Sequence, residues 1–258
     1  MGGVGVARVG GVETRVVRIG RRFRGPERSG NGGYTAGLVG TALASAADGA
    51  AVQVTLRKPP PLDTDLTLDV RDDLADVART AVLNADDGVV AEGRTVSDDA
   101  LAEVAEMVAP DQATAAEAAY AGLQDHPFPN CFACGPANAE GLRLRPGRYG
   151  EGRTACTWSP AADLAGEDGL VDPLYVWAAL DCPGGWTADI AGRPMVLGRL
   201  TAKVHERPMA GETYVVTGRL LGGEGRKTDT VATLYAADGR PLAHARHTWI
   251  AVDPAAFN

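Results

Sequence analysis

The order of segments in this chain runs through twice, and that repetition limits the available folds more than any other feature. A glycine-rich loop opens a helix of small residues at Asn31, and 141 residues later Asp172-Pro173 opens a second helix. Pro60 closes the first strand after the first helix, and Pro208 does the same 148 residues on. The Asp87-Gly88 turn returns as Asp238-Gly239 after 151 residues. Shifts this similar, with the element order kept, favour two copies of one supersecondary unit over a single irregular domain.

In the first copy, valine-rich residues 4–19 read as one or two strands, 23–34 as a glycine-rich loop and 35–47 as a helix. Alternating apolar and polar residues then mark strands over 51–57 and 62–70, separated by Pro59-Pro60-Pro61. Two further strands, 75–84 and 89–96, are joined by Asp86-Asp87-Gly88, a strong hairpin signal. Residues 98–124 are alanine- and glutamate-rich with Ser97 or Asp98 as a cap, which predicts a mostly helical surface linker. The second copy shows a strand region over 142–158, the second helix, and strands over 195–205, 212–221, 228–235 and 242–252. The predicted organisation is therefore α+β, with units at 1–97 and 126–258 around a linker at 98–125.

The second helix is the better signalled. Asp172 is a good N-cap and Pro173 suits the first turn, whereas Pro183-Gly184-Gly185 predicts a stop or a kink after Cys182. Leu174, Trp177, Ala178, Asp181 and Cys182 fall on or beside one stripe, so the Asp181 carboxylate is set against an apolar face.

Composition removes several functions. A formal charge of -8 supplies no basic surface for nucleic acid, while a hydrophobic share of 45% is enough for a packed core. No apolar run approaches the roughly 18 residues of a membrane span. The N-terminus lacks the pattern of a signal peptide, so a cytoplasmic location is expected. Abundant alanine, glycine and arginine with little lysine suggest a bacterial gene of high GC content. Four cysteines make no disulfide framework, and reduced thiols are expected.

One helix and one antiparallel sheet, repeated, with Asn31-Gly32-Gly33 at one helix entry and Asp181 deep in the other helix, resembles the double hotdog of acyl-CoA thioesterases of the phenylacetate-pathway type. In that family a His-Gly-Gly sequence opens the central helix and an acid lies about two turns later. Here the halves share the motif: asparagine replaces the histidine and Gly40 stands at the acid position in the first half, while Asp172-Pro173-Leu174 replaces the glycine pair in the second. The resemblance implies one complete site per chain, Asp181 facing the amides of Gly32 and Gly33, and a second, dead site at Gly40. It implies hydrolysis of an acyl-CoA or acyl-carrier thioester, with Asp181, Asn31 and Gly33 as catalytic residues. Gly32, Tyr34, Trp177, Trp186 and His205 are the candidates for substrate contacts. Asp181 is open to a role as general base or as nucleophile. A homodimer is also expected, since oligomers favour two-fold symmetry.

Cys131-Phe132-Ala133-Cys134 spaces two thiolates for one ion, but a structural zinc site needs four ligands and no second pair follows. Cys156, Cys182 and His126 are scattered in sequence, so neither metal nor cofactor is expected; the resembling family has a similar loop, which there looks structural. His205, His244 and His247 lie on predicted strands, and only His205 is a candidate to reach a ligand. The alternatives to a thioesterase are a non-catalytic acyl-CoA binding module and a hotdog dehydratase or hydratase.

Overall fold

The computed structural model describes residues 6–9, 11–46, 49–71 and 79–256. Both copies of the repeat are present. The first runs β1 (Val6–Val9), β2 (Val12–Arg18), α1 (Gly32–Ala46), β3 (Ala51–Leu56), β4 (Asp65–Arg71), β5 (Thr80–Ala85) and β6 (Gly88–Val96). The second, after the short helix α2 (Pro110–Ala116), runs β7 (Gly147–Gly150), β8 (Arg153–Trp158), α3 (Pro173–Gly185), β9 (Met195–Val204), β10 (Tyr214–Glu224), β11 (Lys227–Tyr235) and β12 (Pro241–Ala251). The expected start of the first strand at Val4, and of the strand before Asn84 at Ala75, lie outside the described residues.

The twelve strands of the described residues form one antiparallel sheet in the order β1-β2-β4-β5-β6-β3-β9-β12-β11-β10-β8-β7. Each half repeats the same order outward from the centre, so β3 and β9 make the seam, with Val52 opposite Ala202 and Val54 opposite Leu200. All four of these residues are fully buried. Joining the two inner edges removes an exposed strand edge from each half. Alternation works as read from sequence: on β4, Leu66, Leu68 and Val70 are buried and Thr67 and Asp69 are not.

α1 and α3 pack on the sheet and against each other along a stripe of glycines. A Cβ on Gly33 would lie 2.5 Å from Asp181 Cβ, one on Gly37 2.8 Å from Leu174 Cδ1, and one on Gly40 2.3 Å from Trp177 Cζ2. The three lie at i, i+4 and i+7, one face of a helix, and only hydrogen at each lets the backbones approach this closely.

Three local expectations change. α1 begins at Gly32 and not near Thr35, because Asn31 Oδ1 accepts the Tyr34 amide at 2.8 Å and caps the helix earlier. α3 runs through Pro183 to Gly185. Pro-Gly-Gly here serves close packing: Cβ atoms on Gly184 and Gly185 would meet Thr230 Oγ1 at 2.7 Å and Trp249 Cζ2 at 2.9 Å, and burial of this last turn outweighs the loss of one backbone bond. The linker is mostly not helical. It holds the seven-residue α2 and short 3-10 turns, begun by Ser97 Oγ accepting the Asp99 amide. Nor is it only a surface strap, since Ala113 and Ala116 are buried in a cluster with Ala155, Val215 and Tyr235.

Candidate active site

The two helix ends that the repeat brings together build the site. Asp172 Oδ1 accepts the Leu174 amide at 2.9 Å and starts α3, which delivers Asp181 two turns later with only 2% of its surface exposed. Across the seam Asn31 starts α1. Asp181 Oδ2 accepts hydrogen bonds from Gly33 N at 2.9 Å and from Asn31 Nδ2 at 3.0 Å. Asn31 thus uses its oxygen to cap α1 and its nitrogen to hold the acid. The other carboxylate oxygen, Oδ1, is buried and has no hydrogen-bond partner among the described residues.

Burial pushes the Asp181 carboxyl up to about 7, the neighbouring Cys131 adds to this, and the bonds from Gly33 and Asn31 oppose it. Cys131 is itself held well below the usual thiol range, first by its hydrogen bond with Cys134 and then by that with Cys182. No cation pairs with Asp181 among the described residues, so hydrogen bonds and the α1 N-terminus are its only electrostatic support.

Asp181, Asn31, Gly32 and Trp186 line one cavity of about 240 Å³, together with His126, Cys131, Cys134, Cys182 and an apolar wall that includes Leu197 and Trp249. Arg57, Lys58 and Arg226 also line it. Arg57 is engaged by Glu92 and Lys58 by Asp87, whereas Arg226 has no carboxylate partner among the described residues. Gly33 touches the cavity's acid through its amide. Gly32 is tightly placed as well: a Cβ there would meet Leu197 Cβ at 2.7 Å. The Gly32 amide, unlike those of Gly33 and Tyr34, makes no hydrogen bond to a described group.

Three of the candidates from sequence lie elsewhere. Tyr34 is buried, stacked on Phe23 with centroids 4.1 Å apart and edge-on to Phe132 at 5.9 Å, and packs the α1 entry. Trp177 and His205 line a second cavity of about 450 Å³ at the other end of the helix pair. This is the counterpart of the first across the seam, and there the Trp177 indole packs against Gly40 at the position matching Asp181. His205 Nε2 lies 3.0 Å from His244 Nδ1.

His126 and the cysteines were not legible as part of the site. His126 Nε2 lies 3.3 Å from Cys134 Sγ, and Cys182, the residue after Asp181, comes within 3.7 Å of Cys131 Sγ. The Cys131–Cys134 loop was visible in sequence, but no local signal says that α3 meets it.

No family model and no curated protein matches the chain. Solved structures do. A protein of Novosphingobium aromaticivorans provisionally named a thioesterase superposes with a TM-score of 0.64 at 14% identity, covering 96% of this chain and 98% of that one. A protein of unknown function with a hot dog fold from Alicyclobacillus acidocaldarius gives 0.59 at 15% identity, over 97% and 96%. The fold is a double hotdog. The dehydratase domain of RzxB from Pseudomonas fluorescens, at 0.57, 12% identity and 95% and 96% coverage, shares it too. One fold thus carries different named chemistries, and the reaction has to be argued from the site. No helix among the described residues is long and apolar enough to cross a membrane.

Proposed function

We propose that this double hotdog hydrolyses an acyl thioester, with Asp181 as the base and the Gly32 amide as the donor to the developing oxyanion. The observation that carries the reading is the unequal state of the two carboxylate oxygens: Oδ2 is held by Gly33 and Asn31, while the buried Oδ1 has no partner among the described residues, in a side chain that lines the cavity. Once a small shift of the cavity wall admits a water beside the buried Oδ1, that water gives up a proton to it as its oxygen attacks the thioester carbonyl carbon. The negative charge then grows on the carbonyl oxygen at the α1 N-terminus, where an amide and the helix dipole favour it. Collapse breaks the carbon–sulfur bond, and the proton held on Asp181 leaves with the thiolate, giving a carboxylic acid and a free thiol.

Arg226, whose Nε donates to Ala251 O at 3.2 Å and which has no carboxylate partner among the described residues, is the cavity cation best able to meet a phosphate, which supports coenzyme A as the carrier of the acyl group. A hydratase is the second reading, favoured by His126 on the same wall. Free-thiol release from a panel of acyl-CoA thioesters tests the first, and loss of enoyl absorbance with a crotonyl thioester tests the second. Asp181→Asn is expected to bind thioester normally while turnover drops by about 100- to 10,000-fold. Turnover at the normal rate in that variant overturns the role of Asp181, and a native protein that binds without cleaving is a binding module.

A further inference from the structure

We propose that Cys131, Cys134 and Cys182 form a binding site for one thiophilic divalent cation such as Zn2+, with the fourth coordination position open to the cavity. The site is independent of the thioesterase reading. Its three sulfur atoms all lie within 4.8 Å of one another, and all three residues are buried. The Cys131 and Cys182 sulfurs are 3.7 Å apart, in hydrogen-bond contact and not joined as a disulfide. Tetrahedral geometry with a Zn–S bond of about 2.3 Å sets neighbouring sulfurs about 3.8 Å apart, so a spacing now spanned by a thiol hydrogen bond fits shared coordination and is far from a disulfide's.

The loop is shaped to hold its pair. Gly135 N donates to Cys131 O at 2.8 Å, closing a tight turn, and a Cβ on Gly135 would fall 2.3 Å from Cys131 N. Tyr120 from the linker locks the turn from outside by donating to Cys134 O at 2.8 Å. α3 supplies the third sulfur from 51 residues away in sequence.

The surroundings offer donors where negative sulfur would need them. Trp186 Nε1 donates to Cys134 Sγ at 3.4 Å and Asn31 Nδ2 to Cys131 Sγ at 3.6 Å. The Phe128 amide donates to His126 Nδ1 at 3.0 Å, which assigns the ring proton to Nε2, 3.3 Å from Cys134 Sγ. His126 is therefore a third donor to the sulfurs and not a fourth ligand. N–H groups arranged in this way orient ligating atoms and moderate the charge of a metal–thiolate centre. All three cysteines line the cavity that holds Asp181, leaving the last position to a water or an incoming ligand.

The test uses the full chain, reduced and stripped with a chelator, titrated anaerobically with Co2+ and then with Zn2+. One equivalent of Co2+ should produce an intense thiolate-to-cobalt charge-transfer band that Zn2+ abolishes, and the loaded protein should melt at a higher temperature than the stripped one. Cys182→Ser should lose the band while Cys156→Ser, whose thiol is buried outside the cluster, keeps it. Absence of the band in the reduced native chain overturns the site, as does a band of undiminished strength in a folded Cys182→Ser. Should Cys182→Ser fail to fold, the native titration and Cys131→Ser decide. Recovery of the chain only with a Cys131–Cys182 disulfide that resists reduction also refutes it.

Discussion

Gly33→Ala puts a single methyl group where the two helices meet, and the structure allows its cost to be worked through. The new Cβ would stand 2.5 Å from Asp181 Cβ and 2.9 Å from Trp177 O. Carbon atoms rest at about 3.5 Å or more, so α1 and α3 must part by about 1 Å. The Gly33–Asp181 bond, 2.9 Å long, then stretches beyond hydrogen-bonding range. Overpacking costs about 1–3 kcal/mol and the lost bond to a charged group about 1.5–3, while alanine's better helix propensity returns about 1. The net is a loss of about 2–5 kcal/mol, or about 5–15 °C in Tm for a chain of this size. A reacting carboxylate misplaced by about 1 Å costs about 100-fold in rate. Gly37→Ala is the comparison, since the nearest atoms to its Cβ belong to Leu174 and Trp177, at 2.8–3.0 Å, and not to Asp181. It should cost about 0–2 kcal/mol by the same terms, with no rate loss per folded molecule. Thermal melts and initial rates of thiol release on both variants give the answer. Gly33→Ala with native Tm and rate would refute the close seam, and equal rate losses in both would mean general loosening and not a displaced acid.

His247 is fully buried, its Nε2 3.1 Å from Leu180 O and its Nδ1 3.1 Å from Thr230 Oγ1, and burial drives its pKa down to about 4. The neutral ring belongs to the fold, so its contribution is intact above the unfolded value of about 6.5 and lost as pH falls toward 4, about 3 kcal/mol in all. His247→Gln should flatten urea-derived stability across that window, and an unchanged slope would assign the loss to other groups. Arg226→Gln should raise KM for an acyl-CoA several-fold but leave the corresponding acyl-pantetheine unaffected; equal effects on both would remove Arg226 from phosphate binding.

Much of the fold could be read from the chain itself. Asp172-Pro173 marked the start of α3, alternation marked β4, and Asp87-Gly88 marked the turn into β6, because caps, pleats and tight turns depend on residues a few places apart. The resemblance to double-hotdog thioesterases, laid over the repeat, made the pairing of Asp181 with the α1 entry an expectation before any coordinates. Where local signals carry two meanings, tertiary structure chose. Pro183-Gly184-Gly185 reads as a helix stop, yet β11 and β12 press so close that its small residues are what the last helical turn requires. Gly40 reads as a missing acid, and packing made it the seat of the Trp177 ring, while Trp177 and His205 went to the opposite cavity from Asp181. The gathering of Cys182 and His126 beside Cys131 and Cys134 was likewise beyond the sequence. Periodicity and capping specify the direction of a side chain from its own element, but which distant side chain it meets is decided by how α3, the 126–136 loop and the α1 entry exclude one another's volume.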